Sequence, residues 1–111
     1  MHARPPRRLR RLPRTVVLGH AVPVARGLRA RLLGLALLRR ERAGPGLLIP
    51  GCASVHTWGM RFELDLYFLD DRGAVMRAVR GIGPRRLIRC RGAAAVVELP
   101  AGQRRARRGL G

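Results

Sequence analysis

The chain has 111 residues, the size of one domain with one hydrophobic core. Hydrophobic residues make up 47% of it, which excludes a fully disordered protein, and aromatic residues only 4%, so Leu, Val and Ala must fill the core. The formal net charge is +18, but every one of the 24 basic residues is arginine, a bias typical of GC-rich coding sequences that weakens the charge as evidence for a nucleic-acid partner.

The positive charge is concentrated at the two ends of the chain. Residues 1–14 hold six arginines among prolines and predict a basic, disordered arm, and residues 103–111 hold four more in a basic tail. Residues 15–102 are predicted to form a single β-rich domain, with fourteen arginines against six acids, a net charge of +8. We therefore expect weak nucleic-acid binding through the tails, without sequence preference.

The first predicted elements are one strand and one helix. A β-branched run over Thr15–Val22, ended by Pro23, predicts a strand. Four leucines at helical spacing predict an amphipathic helix over residues 25–40: Leu28, Leu32, Leu35 and Leu38. Glycines and a proline over residues 44–46 end this helix.

The remaining segments predict short strands separated by turns. These strands cover residues 46–50, 54–60, 63–69, 74–79, 85–91 and 94–99. Asp70-Asp-Arg-Gly73 is typical of a hairpin turn. Because the helix and strands do not alternate, we predict a mainly β fold, a small antiparallel sandwich or partly open barrel with the helix near its N-terminus. The expected core residues are Leu64, Leu66, Phe68, Val75, Val79, Val97 and Leu99.

Cysteine usage and hydropathy bear on the compartment. Cys52 and Cys90 form no CxxC pair, and we expect two reduced thiols. No apolar run approaches the roughly 20 residues that cross a bilayer. The N-terminal stretch resembles a poor export signal that His20 and Pro23 interrupt, so a cytoplasmic location is expected and export stays open.

The densest polar segment lies between Cys52 and Asp65. On an extended strand Ser54, His56 and Trp58 share one face. A Cys52 nucleophile with His56 as base is one hypothesis, although residues four apart on a strand are separated by about 13 Å. No spacing in this segment dictates a tetrahedral zinc site, so neither a metal nor a cofactor is predicted.

Two carboxylates fall beside apolar residues. Asp65 either pairs with His56 as an acid/base couple or accepts backbone N–H groups as a structural residue, and we favour the structural role. Glu98 poses the same question and could pair with an arginine of a neighbouring strand. Met60 and Trp58 are expected to pack, with ligand stacking as the alternative for Trp58. Thr57 and Arg61 complete the candidate binding residues.

Three blocks of the sequence resemble domain-of-unknown-function family 192, also called uncharacterised protein family 0127. They are Ser-Val-His-Thr-Trp-Gly-Met-Arg-Phe-Glu-Leu-Asp65, Phe-Leu-Asp-Asp-Arg-Gly-Ala-Val75 and Glu-Leu-Pro-Ala-Gly102, with an early Ala25-Arg-Gly-Leu28. The resemblance implies a compact β-rich domain and no assigned activity. It marks Met60, Asp65, Gly73, Glu98 and Gly102 as recurring positions, and His56 with Thr57 as matching one branch. It also implies one more strand after Gly102, so we expect a truncated C-terminus.

Three functional classes follow from these residues. The first is a non-catalytic accessory or binding domain with a small molecule or partner protein near residues 54–65. The second is a hydrolase-like enzyme that uses Cys52, His56 and Asp65. The third is a polyanion binder that acts through its arginine tails. Because the sequence shows no complete catalytic constellation, the binding domain is the leading hypothesis.

Overall fold

The computed structural model describes residues 14–25 and 46–102. Within these ranges the chain forms eight short strands and no helix. In chain order they are β1 (Arg14–Val17), β2 (His20–Pro23), β3 (Leu47–Pro50), β4 (Ser54–His56), β5 (Leu64–Leu69), β6 (Val75–Ile82), β7 (Leu87–Arg89) and β8 (Ala95–Pro100). The prediction of a mainly β domain is confirmed.

A four-stranded antiparallel sheet, ordered β3-β8-β5-β6, forms the centre of the molecule. β5 pairs with β8 without interruption, from Leu64 opposite Pro100 to Leu69 opposite Ala95. Two antiparallel ribbons, β1–β2 and β4–β7, accompany this sheet. Among the described residues β6 remains an edge strand, and the outer edge of β3 is joined only by an isolated parallel bridge between Val24 and Leu48, so the sheet is not a closed barrel.

β5 is buried along its whole length because apolar clusters cover both faces of the sheet. On one face, Leu64, Leu66 and Phe68 pack in a cluster that also contains Val55 of β4 and Ile88 of β7. We call this face the ribbon side. Since successive strand residues point to opposite faces, the other residues of β5 must face away from the β4–β7 ribbon.

The second face of the sheet is covered by the β1–β2 hairpin. Tyr67 and Leu69 pack there with Val97 and Leu99 of β8 and with Val22 of β2. We call this face the hairpin side. Asp65 lies on it too, because it alternates with the ribbon-side leucines and pairs directly with Leu99 in β8.

The predicted single strand over Thr15–Val22 is wrong. The structure folds this segment into two strands joined at Leu18 and Gly19. Both residues have positive φ, 51° and 78°, as the two-residue turns that match the twist of a hairpin require. Only the second position carries the glycine that signals such a turn, so the unbroken apolar pattern concealed the reversal.

The hairpin predicted from Asp70-Asp-Arg-Gly73 is present between β5 and β6. Oδ1 of Asp70 accepts the backbone N–H groups of Arg72 and Ala74, each at 2.9 Å. Gly73 adopts a φ of +86°, which a side chain would disfavour. The turn chemistry that suggested the hairpin is therefore the chemistry that closes it.

The predicted core is largely correct, with one clear exception. Leu64, Leu66 and Phe68 are buried as expected, as are both β8 residues of the prediction, while Val79 is partly buried against the ribbon-side cluster. Val75 is 45% exposed, so its placement in the core is wrong. It opens the edge strand β6, and the sheet and ribbons leave that end of β6 uncovered.

Several sequence predictions fall outside the described residues. The helix over residues 25–40 lies there except for Ala25, as do the basic arm apart from Arg14 and the tail over 103–111. Among the residues that are described, no helix is long and apolar enough to cross a membrane.

Candidate functional site

The hairpin side of the sheet holds a buried carboxylate, Asp65. Its side chain has no exposed surface, and its Oδ1 accepts the backbone N–H of Gly81 at 2.8 Å. Gly81 lies in an irregularity of β6, where Arg80 and Gly81 together face Asp65 because Leu64 pairs with Ile82 and Leu66 with Val79. The carboxylate thus holds a bulge at which the sheet ladder is interrupted.

Beside this carboxylate, Arg80 of β6 lies over Tyr67 of β5. The Arg80 Cζ atom is 5.9 Å from the centroid of the tyrosine ring, and Nε donates a long hydrogen bond of 3.4 Å to the Tyr67 hydroxyl. This hydrogen bond is the largest reason that the pKa of Arg80 is raised above its ordinary value, and the Asp65 carboxylate adds a smaller electrostatic contribution. The guanidinium is exposed and remains positively charged.

Arg80 and Tyr67 line a cleft between the β1–β2 hairpin and the sheet. The cleft has a volume of about 340 Å³. Its walls are Leu18, His20, Tyr67, Val75, Ala78, Arg80 and Leu99. We call it the hairpin cleft. Apolar side chains with a few convergent polar groups are the usual lining of a small-molecule site.

Apart from Asp65, the residues predicted from the sequence to carry chemistry lie elsewhere, on the ribbon side. Ser54 and His56 point outward from β4 while Val55 points into the core. The rings of His56 and Trp58 meet edge to face, with centroids 6.1 Å apart, and Trp58 is 53% exposed. The shared face expected for these polar residues is therefore present at the surface.

The three residues of the hydrolase hypothesis do not come together. The Cys52 thiol donates to the backbone oxygen of Ser54 at 3.0 Å and packs against the ribbon-side cluster. The ring of His56 contacts Trp58 at the surface, whereas Asp65 lies on the hairpin side, across the sheet. No nucleophile, base and acid share a pocket in this arrangement.

Thr57 is buried and joins two loops. Its Oγ1 donates to the carbonyl of Gly83 and accepts the N–H of Arg86, both at 2.8 Å. Its carbonyl accepts the N–H of Met60 at 3.2 Å, which closes a turn around Gly59. Met60 is buried in the ribbon-side cluster and Arg61 is exposed. These contacts fix the segment that carries Trp58.

The other positions marked by the resemblance are spread over the fold. Gly73 closes the β5–β6 turn, and Gly102, with a φ of +101°, follows β8. Glu98 is buried in β8 opposite Leu66, on the ribbon side. Neither Gly73 nor Glu98 lines the hairpin cleft.

Three polar residues of the hairpin cleft are absent from the sequence-based candidates: His20, Tyr67 and Arg80. The strand pattern held one usable signal, since Tyr67 follows Asp65 at a spacing of two and must share its face. His20 and Arg80 belong to other strands, so only the packing of the hairpin on the sheet brings them near. Among the described residues, no three His, Cys, Asp or Glu side chains cluster as metal ligands do.

Comparison with known proteins places the fold. The chain resembles the crystal structure of a proposed transcription regulator from Sinorhizobium meliloti, with a TM-score of 0.67 and 24% identity; the match covers 86% of this chain and 83% of that protein. A protein of unknown function from Novosphingobium aromaticivorans is similar over 91% of this chain and 89% of its own, with a TM-score of 0.61 and 20% identity. Identities this low indicate a shared fold alone.

At the level of sequence, the chain matches no curated protein significantly. The model of one family, DUF192, described as "Uncharacterized ACR", matches residues 14–109 and so covers most of the chain. The match includes the sheet, both ribbons and every block that carried the resemblance noted from the sequence. The chain therefore belongs to the DUF192 family and is a small β-rich domain of that family.

Proposed function

We propose that this chain is a non-catalytic binding domain whose hairpin cleft takes a small organic molecule with an anionic group, a carboxylate or a phosphate. The observation that carries the proposal is the position of Arg80, an exposed guanidinium held over Tyr67 at the wall of an otherwise largely apolar cleft. Such a cleft offers one charged anchor and an apolar surface for the rest of the ligand.

The chemistry of Arg80 favours an anion. A guanidinium has five N–H donors, and among the described residues Tyr67 accepts one of them. The remaining donors form the planar fork that binds carboxylate or phosphate oxygens in pairs. His20 is, besides Arg80 and Tyr67, the other polar side chain of the cleft lining.

The size and walls of the cleft favour a small ligand. A volume of about 340 Å³ lies at the lower end of the range for ligand pockets, roughly 300–1,000 Å³. Leu18, Val75, Ala78 and Leu99 contribute apolar surface, which suits an aromatic or branched aliphatic body. Val75, which is half exposed and does not belong to the core, forms part of the wall of this cleft.

A binding role is favoured over a catalytic one because the residues of a hydrolase site stay apart. The Cys52 thiol is engaged by a backbone carbonyl, and Asp65 is occupied with Gly81 on the other side of the sheet. His56 would need both partners to act as a general base in a triad. Among the described residues that line the hairpin cleft, Tyr67 alone carries a hydroxyl and none carries a thiol.

Amide NMR titration of the full chain tests the proposal, with benzoate and phenyl phosphate as probes. We expect chemical shift changes at residues of β5, β6 and the β1–β2 turn. Arg80→Gln should abolish them, whereas Arg72→Gln, which removes the same charge from the β5–β6 turn, should leave them intact. Shift changes that persist in Arg80→Gln, or that map to the β4–β7 ribbon, would contradict the proposed site.

Two finer expectations from the sequence belong to the same proposal. One is an amphipathic helix over residues 25–40 that packs four leucines against the sheet: Leu28, Leu32, Leu35 and Leu38. The other is a cytoplasmic location, which is consistent with Cys52 and Cys90 as free thiols.

A further inference from the structure

The outer surface of the β4–β7 ribbon exposes aromatic and apolar side chains. Val55 and Ile88 point into the core, so His56 and its cross-strand partner Leu87 point outward. Leu87 is 50% exposed and Trp58, in edge contact with His56, is 53% exposed. We call the surface formed by His56, Trp58 and Leu87 the ribbon platform.

The segments around the ribbon platform are strongly basic. Residues 52–63 and 83–94 contain five arginines and a single acid, Glu63, which gives a net charge of +4. All five arginines are exposed, and none forms an ion pair within the part of the chain that the structure describes: Arg61, Arg85, Arg86, Arg89 and Arg91. This charge belongs to the folded domain and is separate from that of the two ends.

The backbone beneath the ribbon platform is well fixed. Thr57 bonds to both Gly83 and Arg86, so the turn that carries Trp58 is tied to the loop that carries two of the arginines. Arg85 adopts a φ of +63°, unusual for a residue with a side chain, and its N–H donates to Thr57. The aromatic ring and the neighbouring positive charges are thus presented from one rigid unit.

We infer that the ribbon platform binds single-stranded nucleic acid, with a base stacked on Trp58 and backbone phosphates held by the surrounding arginines. An exposed aromatic side chain among unpaired arginines is the combination that single-strand binding proteins use. A duplex hides its base faces, so stacking on Trp58 requires a single strand. The site lies across the sheet from the hairpin cleft and does not depend on the function proposed for that cleft.

Trp58 is the only tryptophan of the chain, so its fluorescence reports on this site alone. The full chain is titrated with oligothymidylate, and then with a duplex of equal length, while fluorescence anisotropy of the labelled nucleic acid measures total binding. We expect quenching of Trp58 by the single strand and tighter binding of the single strand than of the duplex. Binding through the arginine tails contributes to both and favours the duplex, which has the higher charge density, so a preference for the single strand must come from another site.

Variants separate stacking from charge. Trp58→Ala should weaken single-strand binding by about tenfold and remove the preference over duplex, and Trp58→Phe should retain part of that preference. Arg89→Gln should make the negative slope of log affinity against log salt shallower by about 0.7, whereas a slope unchanged from wild type would remove Arg89 from the site. Arg72→Gln, in the β5–β6 turn, is the matched charge control.

Three results would overturn the inference. Binding without quenching of Trp58 would assign all affinity to the tails. A ratio of single-strand to duplex affinity that Trp58→Ala leaves unchanged would remove the stacking argument. Quenching by polyglutamate as strong as that by oligothymidylate would identify the ribbon platform as a site for acidic polypeptides. Circular dichroism of Trp58→Ala shows whether its loss of binding reflects a loss of fold.

Discussion

Replacement of Asp65 by asparagine removes a negative charge from the protein interior with almost no change in volume. Asp65 is fully buried, and its Oδ1 accepts the N–H of Gly81 at 2.8 Å. An asparagine oxygen can still accept this bond, but a hydrogen bond to a charged partner is roughly twice as strong as one to a neutral partner. The new amide group also introduces two donors where the carboxylate only accepts.

We expect Asp65→Asn to lower the free energy of unfolding by about 1–3 kcal/mol. The weaker bond to Gly81 accounts for about 1 kcal/mol, and amide donors left without acceptors in a buried place account for the remainder. Since about 1 kcal/mol shifts the melting temperature of a domain of this size by roughly 4–8 °C, the effect is large enough to measure directly.

Urea unfolding followed by far-UV circular dichroism gives the difference. Asp71→Asn is the matched control, because Asp71 is exposed in the β5–β6 turn and its replacement raises the net charge of the protein by the same amount. The comparison therefore cancels the general repulsion among the arginines. If Asp65→Asn proved as stable as Asp71→Asn, or more stable, the structural role of Asp65 would be refuted.

Two further predictions concern a glycine and the thiols. Gly46→Ala should lower the free energy of unfolding by at least about 2 kcal/mol, because φ is +129° and a Cβ would lie 2.6 Å from a leucine methyl carbon of β8. In Gly73→Ala the new side chain would be strained by a φ of +86° but would lie in open space, so the free energy of unfolding should fall by only about 1–2 kcal/mol. If thermal unfolding showed the same loss of stability for Gly46→Ala and Gly73→Ala, the steric argument for Gly46 would be contradicted. When the protein is unfolded in urea without a reducing agent, a thiol-specific dye should detect two thiols, those of Cys52 and Cys90. If the dye detected no thiol, the two cysteines would form a disulfide.

The elements that could be predicted from the sequence are those whose signals are local. The turn from Asp70 to Gly73 is determined locally, because the hydrogen bonds that close it join residues at most four positions apart. The alternation in β5 correctly paired Leu64 with Leu66 on one face. Alternation identifies a face, however, and does not show whether anything covers it, which is why Val75 was wrongly placed in the core.

The first strand shows the complementary failure. Leu18 adopts a positive φ of 51° that its side chain disfavours, so Gly19 is the only residue of the turn whose type indicates a reversal. The reversal is favoured instead by packing, because it brings Val17, Leu18 and Val22 onto the hairpin-side cluster. A tertiary gain of this kind outweighs local preference, and a single sequence does not reveal it.

The candidate site divides along the same line. Burial of Asp65 was predictable, because its neighbours Leu64 and Leu66 placed it beside the core. The hairpin cleft was not predictable, since its polar residues come from β2, β5 and β6 and meet only after the hairpin has packed on the sheet. The ribbon platform lies between these cases, because one short segment carries both His56 and Trp58.

The bulge of β6 joins a structural contact to the proposed binding site. Gly81, whose N–H bonds to Asp65, directly follows Arg80, which lies over Tyr67, so the same irregularity positions the structural contact and the proposed ligand contact. A carboxylate that fixes the bulge also fixes where the guanidinium emerges at the cleft. Arg80→Gln should therefore lower ligand affinity with little loss of stability, whereas Asp65→Asn should lower both. An Asp65→Asn variant that unfolds more readily but binds the probe anions as well as wild type would separate the two roles, and would show that Tyr67 alone positions Arg80.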